Sequence, residues 1–162
     1  MTAVLLTGMS GAGKSATLLE LARRGIRVVD TDAGDWNEWV QAPDGPDWVW
    51  RLDRLNALLD EAGSASVVLA GCRSNQGALY PRLRAVVLLT APLPVLLARV
   101  QHRENPYGRT ADDRARIAEH VAWVEPLLRQ SATLVLDTAL LSVAQVADRV
   151  EELLREPGTD SG

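Results

Sequence analysis

Apolar and polar positions follow two alternating periods along this chain, and together they lay out its elements. Residues 3–7 are a short apolar run that predicts a buried strand. Residues 16–24 switch to helical spacing, with Leu18, Leu19, Leu21 and Ala22 available for burial. A second strand is predicted over 26–30. A helix follows over 51–62, with Leu52, Leu55, Leu58 and Leu59 on one face and Gly63 as its stop. Further strands are predicted over 66–70 and 85–89, and a helix over 92–101. Between 33 and 50, Gly34, Pro43, Gly45 and Pro46 interrupt any period, so an irregular segment is expected. Residues 102–110 read as a polar, hinged loop.

A long helix is predicted from residue 111, capped by Thr110 with Asp113 three positions on. Ile117, Val121, Val124 and Leu128 form its apolar stripe, and Pro126 should bend or break it. A fifth strand is predicted over 133–137. Ser142 and Gln145 then cap a last helix carrying Val146, Val150 and Leu153, and residues 156–162 read as a frayed tail. Strands alternating with helices predict an α/β fold. Its parallel five-stranded sheet is covered on both faces, and residues 1–155 form one domain. In such sheets ligands bind beyond the carboxyl ends of the strands, so the residues just after each strand carry the chemistry.

Composition narrows the partners. The chain has 162 residues, 47% hydrophobic and 23% charged, as expected of one soluble domain. Its net charge of −4 argues against a nucleic-acid or membrane-surface partner. No apolar stretch approaches the ~20 residues needed to span a bilayer. No signal peptide is apparent, and Cys72 is the single cysteine, so a reducing cytoplasm is the expected home. A monomer or weak homodimer is expected. Phe is absent, so Leu, Val and Ala must build the core.

Of 17 basic residues, sixteen are arginine and one is lysine. That lysine, Lys14, stands in Gly8-Met9-Ser10-Gly11-Ala12-Gly13-Lys14-Ser15, which fits the phosphate-loop pattern G-x-x-x-x-G-K-[ST] without a mismatch. Glycines let the backbone turn so that N–H groups face phosphate oxygens, and the helix that follows presents its positive end. Gly8, Ser10, Gly11, Ala12, Gly13, Lys14, Ser15 and Ala16 are therefore the candidate nucleotide-binding residues. Lys14 supplies a compact charge that can follow the β- and γ-phosphates, and Ser15 a hydroxyl for Mg²⁺. ATP and Mg²⁺ are the expected ligands.

The other strand ends add polar groups. Asp30-Thr31-Asp32 ends the second strand. One carboxylate can hold Mg²⁺ through water, and the other can orient or deprotonate an attacking hydroxyl. After the third strand, Arg73 is placed to bind an anionic acceptor or a phosphate, and Cys72 reads as a small lining or core residue. Arg103 and Arg109 frame the loop at 102–110, a candidate lid that brings positive charge to the γ-phosphate on closing. Arg99, one turn earlier, can belong to the same set. Four tryptophans crowd positions 36–50. Trp36 and its neighbours either wall the acceptor or form the private core of a short excursion. Trp123 is expected to pack. His102 and His120 have no metal-ligand spacing.

The phosphate loop, Asp30-Thr31-Asp32, the Gly after the third strand and the arginine-framed loop resemble the small P-loop kinases. These are the shikimate, gluconate and nucleoside monophosphate kinase relatives. The resemblance runs through nearly the whole chain in order of elements. It implies transfer of the γ-phosphoryl of ATP to a hydroxyl of a small molecule, with Asp30 near Mg²⁺ and Asp32 holding the acceptor. It also implies that Arg109 contacts the nucleotide phosphates and Arg103 flanks the base. The sequence departs from shikimate kinases at Gly71-Cys72-Arg73, where they carry three glycines, and at the Trp-rich segment. Both departures touch the acceptor pocket. A nucleotide kinase is the near alternative. A P-loop ATPase or switch acting through a partner is the more distant one.

Overall fold

Alternation within the first strand fixes how the molecule is layered. In this computed structural model, which describes residues 2–102 and 110–156, β1 (Thr2–Thr7) sends Val4 and Leu6 into one core and Ala3 and Leu5 into another. Side chains of a strand alternate between faces, so a strand buried on both sides must be apolar throughout. β1 lies at the centre of a five-stranded sheet with β2 (Arg27–Asp30), β5 (Ser66–Ala70), β6 (Ala85–Thr90) and β7 (Leu134–Asp137). The strand order is β2-β5-β1-β6-β7, and every pair is parallel.

One face is covered by α1 (Lys14–Arg23), α3 (Leu93–His102), α5 (Glu125–Ser131) and α6 (Val143–Arg155), through Leu18, Leu21, Leu96, Leu128, Val146 and Val150. The other is covered by α2 (Leu52–Ala62) and a 3₁₀ turn over Gln76–Arg82, through Leu55, Leu58, Leu59 and Leu79. The cap signals act as expected. Thr110 accepts from the Asp113 amide at 3.0 Å and starts α4 (Ala111–Trp123). Ser142 and Gln145 form a reciprocal capping box at 3.1 and 2.8 Å. The chain breaks at Val124, and Pro126 sits in the first turn of α5, where its missing N–H costs nothing.

Two expectations are corrected. The segment at 33–50 is not irregular: β3 (Asn37–Ala42) and β4 (Gly45–Trp50) pair antiparallel as a hairpin, with Trp39 opposite Trp48. Pro43 and Asp44 form its turn, beyond the last ladder pair, so the N–H that Pro43 lacks is not missed. The Asp44-Gly45 pair between aromatic and β-branched residues is the signal for it. Trp123 does not pack: it is 76% exposed, because as the last residue of α4 it lies round the helix from the buried face of Ile117. Among the described residues, no helix is long and apolar enough to cross a membrane.

Arg24 ties α1 to α6, donating to Asp148 at 2.7 Å and to Glu151 at 2.8 Å. Glu151 is held below its ordinary pKa of 4.5, mainly by Arg24 and then by Arg155. A depressed folded-state pKa adds stability that is complete above pH 4.5 and is lost as pH falls through the folded value. Arg24→Ala should therefore lower the thermal midpoint at neutral pH, and the gap to the wild type should narrow in acid, as pH falls below 4.5. A gap of unchanged size in acid would show that the arginine acts through packing.

Candidate active site

The phosphate loop leaves the end of β1, the central strand, and enters α1 directly. Its shape depends on close approach. A Cβ on Gly11, which has φ 83°, would stand 2.9 Å from the Leu96 carbonyl oxygen. The loop's carbonyls are held away from the cavity by groups outside and inside it. Arg99 Nη1 donates to Gly11 O at 3.0 Å and to Thr138 Oγ1 at 2.7 Å, and Nη2 donates to Thr138 O at 2.8 Å. Thr138 Oγ1 in turn reaches Ala12 O at 2.8 Å. Lys14 Nζ donates to Gly8 O and, at 3.1 Å, to Met9 O. With those carbonyls engaged, the N–H groups are left to face the cavity. Loss of water around its ammonium pushes Lys14 below the ordinary lysine pKa of 10.5. Nearby Cys72, Asp32 and Asp30 partly offset the shift.

Asp30 and Asp32 reach the same cavity because Thr31 between them is anchored. Thr31, fully buried, donates its hydroxyl to Ala70 O at 2.7 Å and accepts Trp50 Nε1 at 3.0 Å. Asn37 Nδ2 donates to the Thr31 carbonyl at 2.6 Å. Gly71 must be glycine here, since a Cβ would overlap the Thr31 hydroxyl. A residue pinned inward turns both its neighbours outward, so the two carboxylates stand on the rim. Asp30 Oδ2 lies 3.5 Å from the Ser15 hydroxyl. These hard oxygen donors suit Mg²⁺. Asp32 Oδ1 accepts from Arg73 Nη2 at 2.9 Å.

Two cavities adjoin. One, of ≈ 550 Å³, is lined by the phosphate loop from Met9 to Ala16, with Asp30, Asp32, Arg73 and Arg99. The other, of ≈ 640 Å³, lies between the hairpin and α4–α5. Trp48, Tyr80, Leu127 and Leu128 line it, with Asp47, Ser74 and His120. Met9, Ser10, Lys14, Asp32 and Arg73 belong to both.

Of the residues expected at the site, Gly8, Ser10, Gly11, Ala12, Gly13, Lys14, Ser15, Ala16, Asp30, Asp32 and Arg73 come together. Arg73, expected to meet an anion, bonds Asp32, Asn37 and the Cys72 carbonyl instead. Trp36 is corrected. It packs beside the core under α2 and lines neither cavity, while Trp48 occupies the wall. Arg103 and Arg109 lie outside the described residues. Thr138 escaped the sequence reading. Its position just after the last strand is the signal that marks it.

Comparison with known proteins agrees with this geometry. Residues 4–120 match the AAA domain family. Over 170 residues the chain is 32% identical to the shikimate kinase of Halorhodospira halophila, covering 94% of this chain and 93% of that protein. The chain belongs to the AAA domain family matched over residues 4–120 and to the small P-loop kinases. A nucleotide-binding protein of Haemophilus influenzae is 27% identical over 170 residues, covering 96% of this chain but 54% of that protein, so this chain spans about half its length. The structure of a shikimate kinase from Acinetobacter baumannii in complex with shikimate superposes with a TM-score of 0.62 at 22% identity, covering 94% and 92% of the two chains. The parallel-sheet fold of these P-loop kinases is therefore that of this protein.

The Arg99–Thr138 clamp generates a prediction for a nucleotide-binding loop. Thr138→Val removes the hydroxyl that holds Ala12 O and keeps the volume. Losing that bond should cost about 1–2 kcal/mol of nucleotide affinity, or roughly tenfold in Kd by calorimetric titration. An unchanged Kd would show that the loop keeps its shape without Thr138.

Proposed function

We propose that this protein is an ATP-dependent phosphotransferase that moves the γ-phosphoryl group to a hydroxyl of a small molecule. One observation carries the reading: a cavity lined by the phosphate loop and a mixed apolar and polar cavity meet at Lys14 and Asp32. Two substrates seated in them would touch at those residues. The relatedness to shikimate kinases supports the same reading.

In this reading the loop amides and Lys14 hold the triphosphate. Ser15 and Asp30 would hold Mg²⁺, which supplies charge neutralisation between the phosphates. Asp32, oriented by Arg73, accepts the proton of the acceptor hydroxyl. The hydroxyl oxygen bonds to the γ-phosphorus as the bond to the bridging oxygen breaks, and ADP leaves with the electron pair. Arg109 is proposed to meet the phosphates from the loop at 102–110, and Arg103 to lie beside the base. Catalysis of this kind is mostly positioning and charge stabilisation, which suits a site with one proton acceptor and several fixed donors.

A second reading has its own support. Several relatives, among them the Haemophilus influenzae protein, are named only for nucleotide binding. Such a protein would hydrolyse ATP with no small-molecule acceptor, under the control of a partner.

ADP release with and without polyols, sugar acids, nucleosides and nucleotides separates the two. Acceptor-dependent release is the expected result, and acceptor-independent hydrolysis would favour the switch. Lys14→Ala should abolish transfer with the fold intact. Asp32→Asn should lower kcat about 10²-fold or more with ATP affinity changed little. Loss of ATP affinity alone would reverse the roles of Asp30 and Asp32.

A further inference from the structure

Resting on the phosphotransferase reading, we propose that the acceptor is a hydroxylated molecule with a flat apolar face and no negative charge. Carboxylate and phosphate acceptors are disfavoured.

The charges in the acceptor cavity argue first. Lys14 is committed to the loop carbonyls of Gly8 and Met9 on the phosphate side. Arg73 already has its charge balanced by Asp32. Its Nε is spent on Asn37 Oδ1 at 2.9 Å and its Nη1 on the Cys72 carbonyl at 2.8 Å. A second carboxylate, Asp47, stands on the hairpin side of the same cavity, where Ser74 donates to it at 2.5 Å. Among the described residues, an arriving carboxylate would therefore meet an arginine already neutralised by Asp32 and the carboxylate of Asp47, with His120 as the remaining basic ring on the lining.

The unfilled hydrogen-bonding capacity points the same way. Asp32 Oδ1 is taken by Arg73 and Asp47 Oδ2 by Ser74. The second oxygen of each carboxylate has no partner among the described residues. The floor is satisfied internally. Gln76 donates to Thr7 Oγ1 at 3.2 Å and to the Tyr80 hydroxyl at 2.8 Å, and accepts from the Arg73 amide at 2.9 Å. Alongside the Ser10 hydroxyl and the His120 ring, the cavity offers a ligand the free lone pairs of two carboxylates, and these require O–H or N–H donors. A hydroxyl-bearing ligand has such donors, and an anionic group brings only more acceptors.

The walls supply the rest of the definition. Trp48 is 39% exposed and Leu127 61% exposed, and both line this cavity from opposite sides. Trp39, directly across the hairpin, packs beside Trp48 with ring centroids 5.0 Å apart and planes tilted by 50°. An indole face against an aliphatic side chain forms a slot for a flat ring or a sugar face.

The test uses the whole chain and matched probe pairs differing mainly in charge: shikimate and methyl shikimate, gluconate and sorbitol, uridine monophosphate and uridine. Binding is read by calorimetry in the presence of magnesium-complexed ADP. The uncharged member should bind about tenfold tighter or more in the pair that fits the slot, because like charges facing each other are strongly unfavourable. Asp47→Asn should narrow that ratio, and Trp48→Ala should weaken the uncharged member. An anionic member that binds as tightly as its partner overturns the proposal. So does failure of every uncharged probe while ATP still binds, an outcome that leaves the nucleotide site standing. If ATP does not bind either, the phosphotransferase reading falls and this proposal falls with it.

Discussion

A phosphate cradle works only when its carbonyls are turned away from the ligand, and here that inversion is enforced largely from outside the loop. Arg99 on α3 and Thr138 after β7 take the carbonyls of Gly11 and Ala12, while Lys14 takes those of Gly8 and Met9. Each carbonyl so engaged leaves its neighbouring amides free to face an anion. The external partners come from the edge of the sheet at β7 and from α3, the helix that ends at His102. The cradle is complete only once β7 has paired with β6, so sheet assembly and site formation are one event. The buried ammonium of Lys14 fits the same logic. Its lowered pKa records an unfavourable desolvation that serves phosphate binding and not folding.

The acceptor side is built on a different principle. Thr31, buried between two aspartates, sets their direction through bonds to Ala70, Trp50 and Asn37. Two of those three partners belong to the hairpin. The β3–β4 ribbon therefore does more than decorate the rim: it positions Asp32 from below with Asn37 and Trp50, and walls the cavity from above with Trp48. This is where the chain departs from the shikimate kinases it resembles, and where its acceptor specificity resides in our account.

Most of the framework could be read from the sequence because its signals are local. The strand at 66–70, the caps at Thr110 and Ser142, and the break near Pro126 all follow from spacing within a few residues. The phosphate loop is likewise a contiguous pattern. What stayed hidden depends on residues distant in sequence. The clamp joins Gly11, Arg99 and Thr138 across 88 and 39 positions, and no local rule selects Thr138 over its neighbours. The exchange of Trp36 for Trp48 has the same origin. Both sit in one aromatic cluster in the sequence, but Trp36 precedes β3 and packs against the core, while Trp48 lies in β4 and lines the cavity. The pairing of Arg73 with Asp32 spans 41 positions, so no local pattern could show it.

The central claim is that the loop grips a polyanion, and titration calorimetry with magnesium-complexed ATP and with AMP tests it most directly. The account predicts saturable one-to-one binding of ATP, about 100-fold or more tighter than AMP, because the amides and Lys14 engage the outer phosphates. Equal affinity for the two nucleotides, or no heat with ATP, would contradict it.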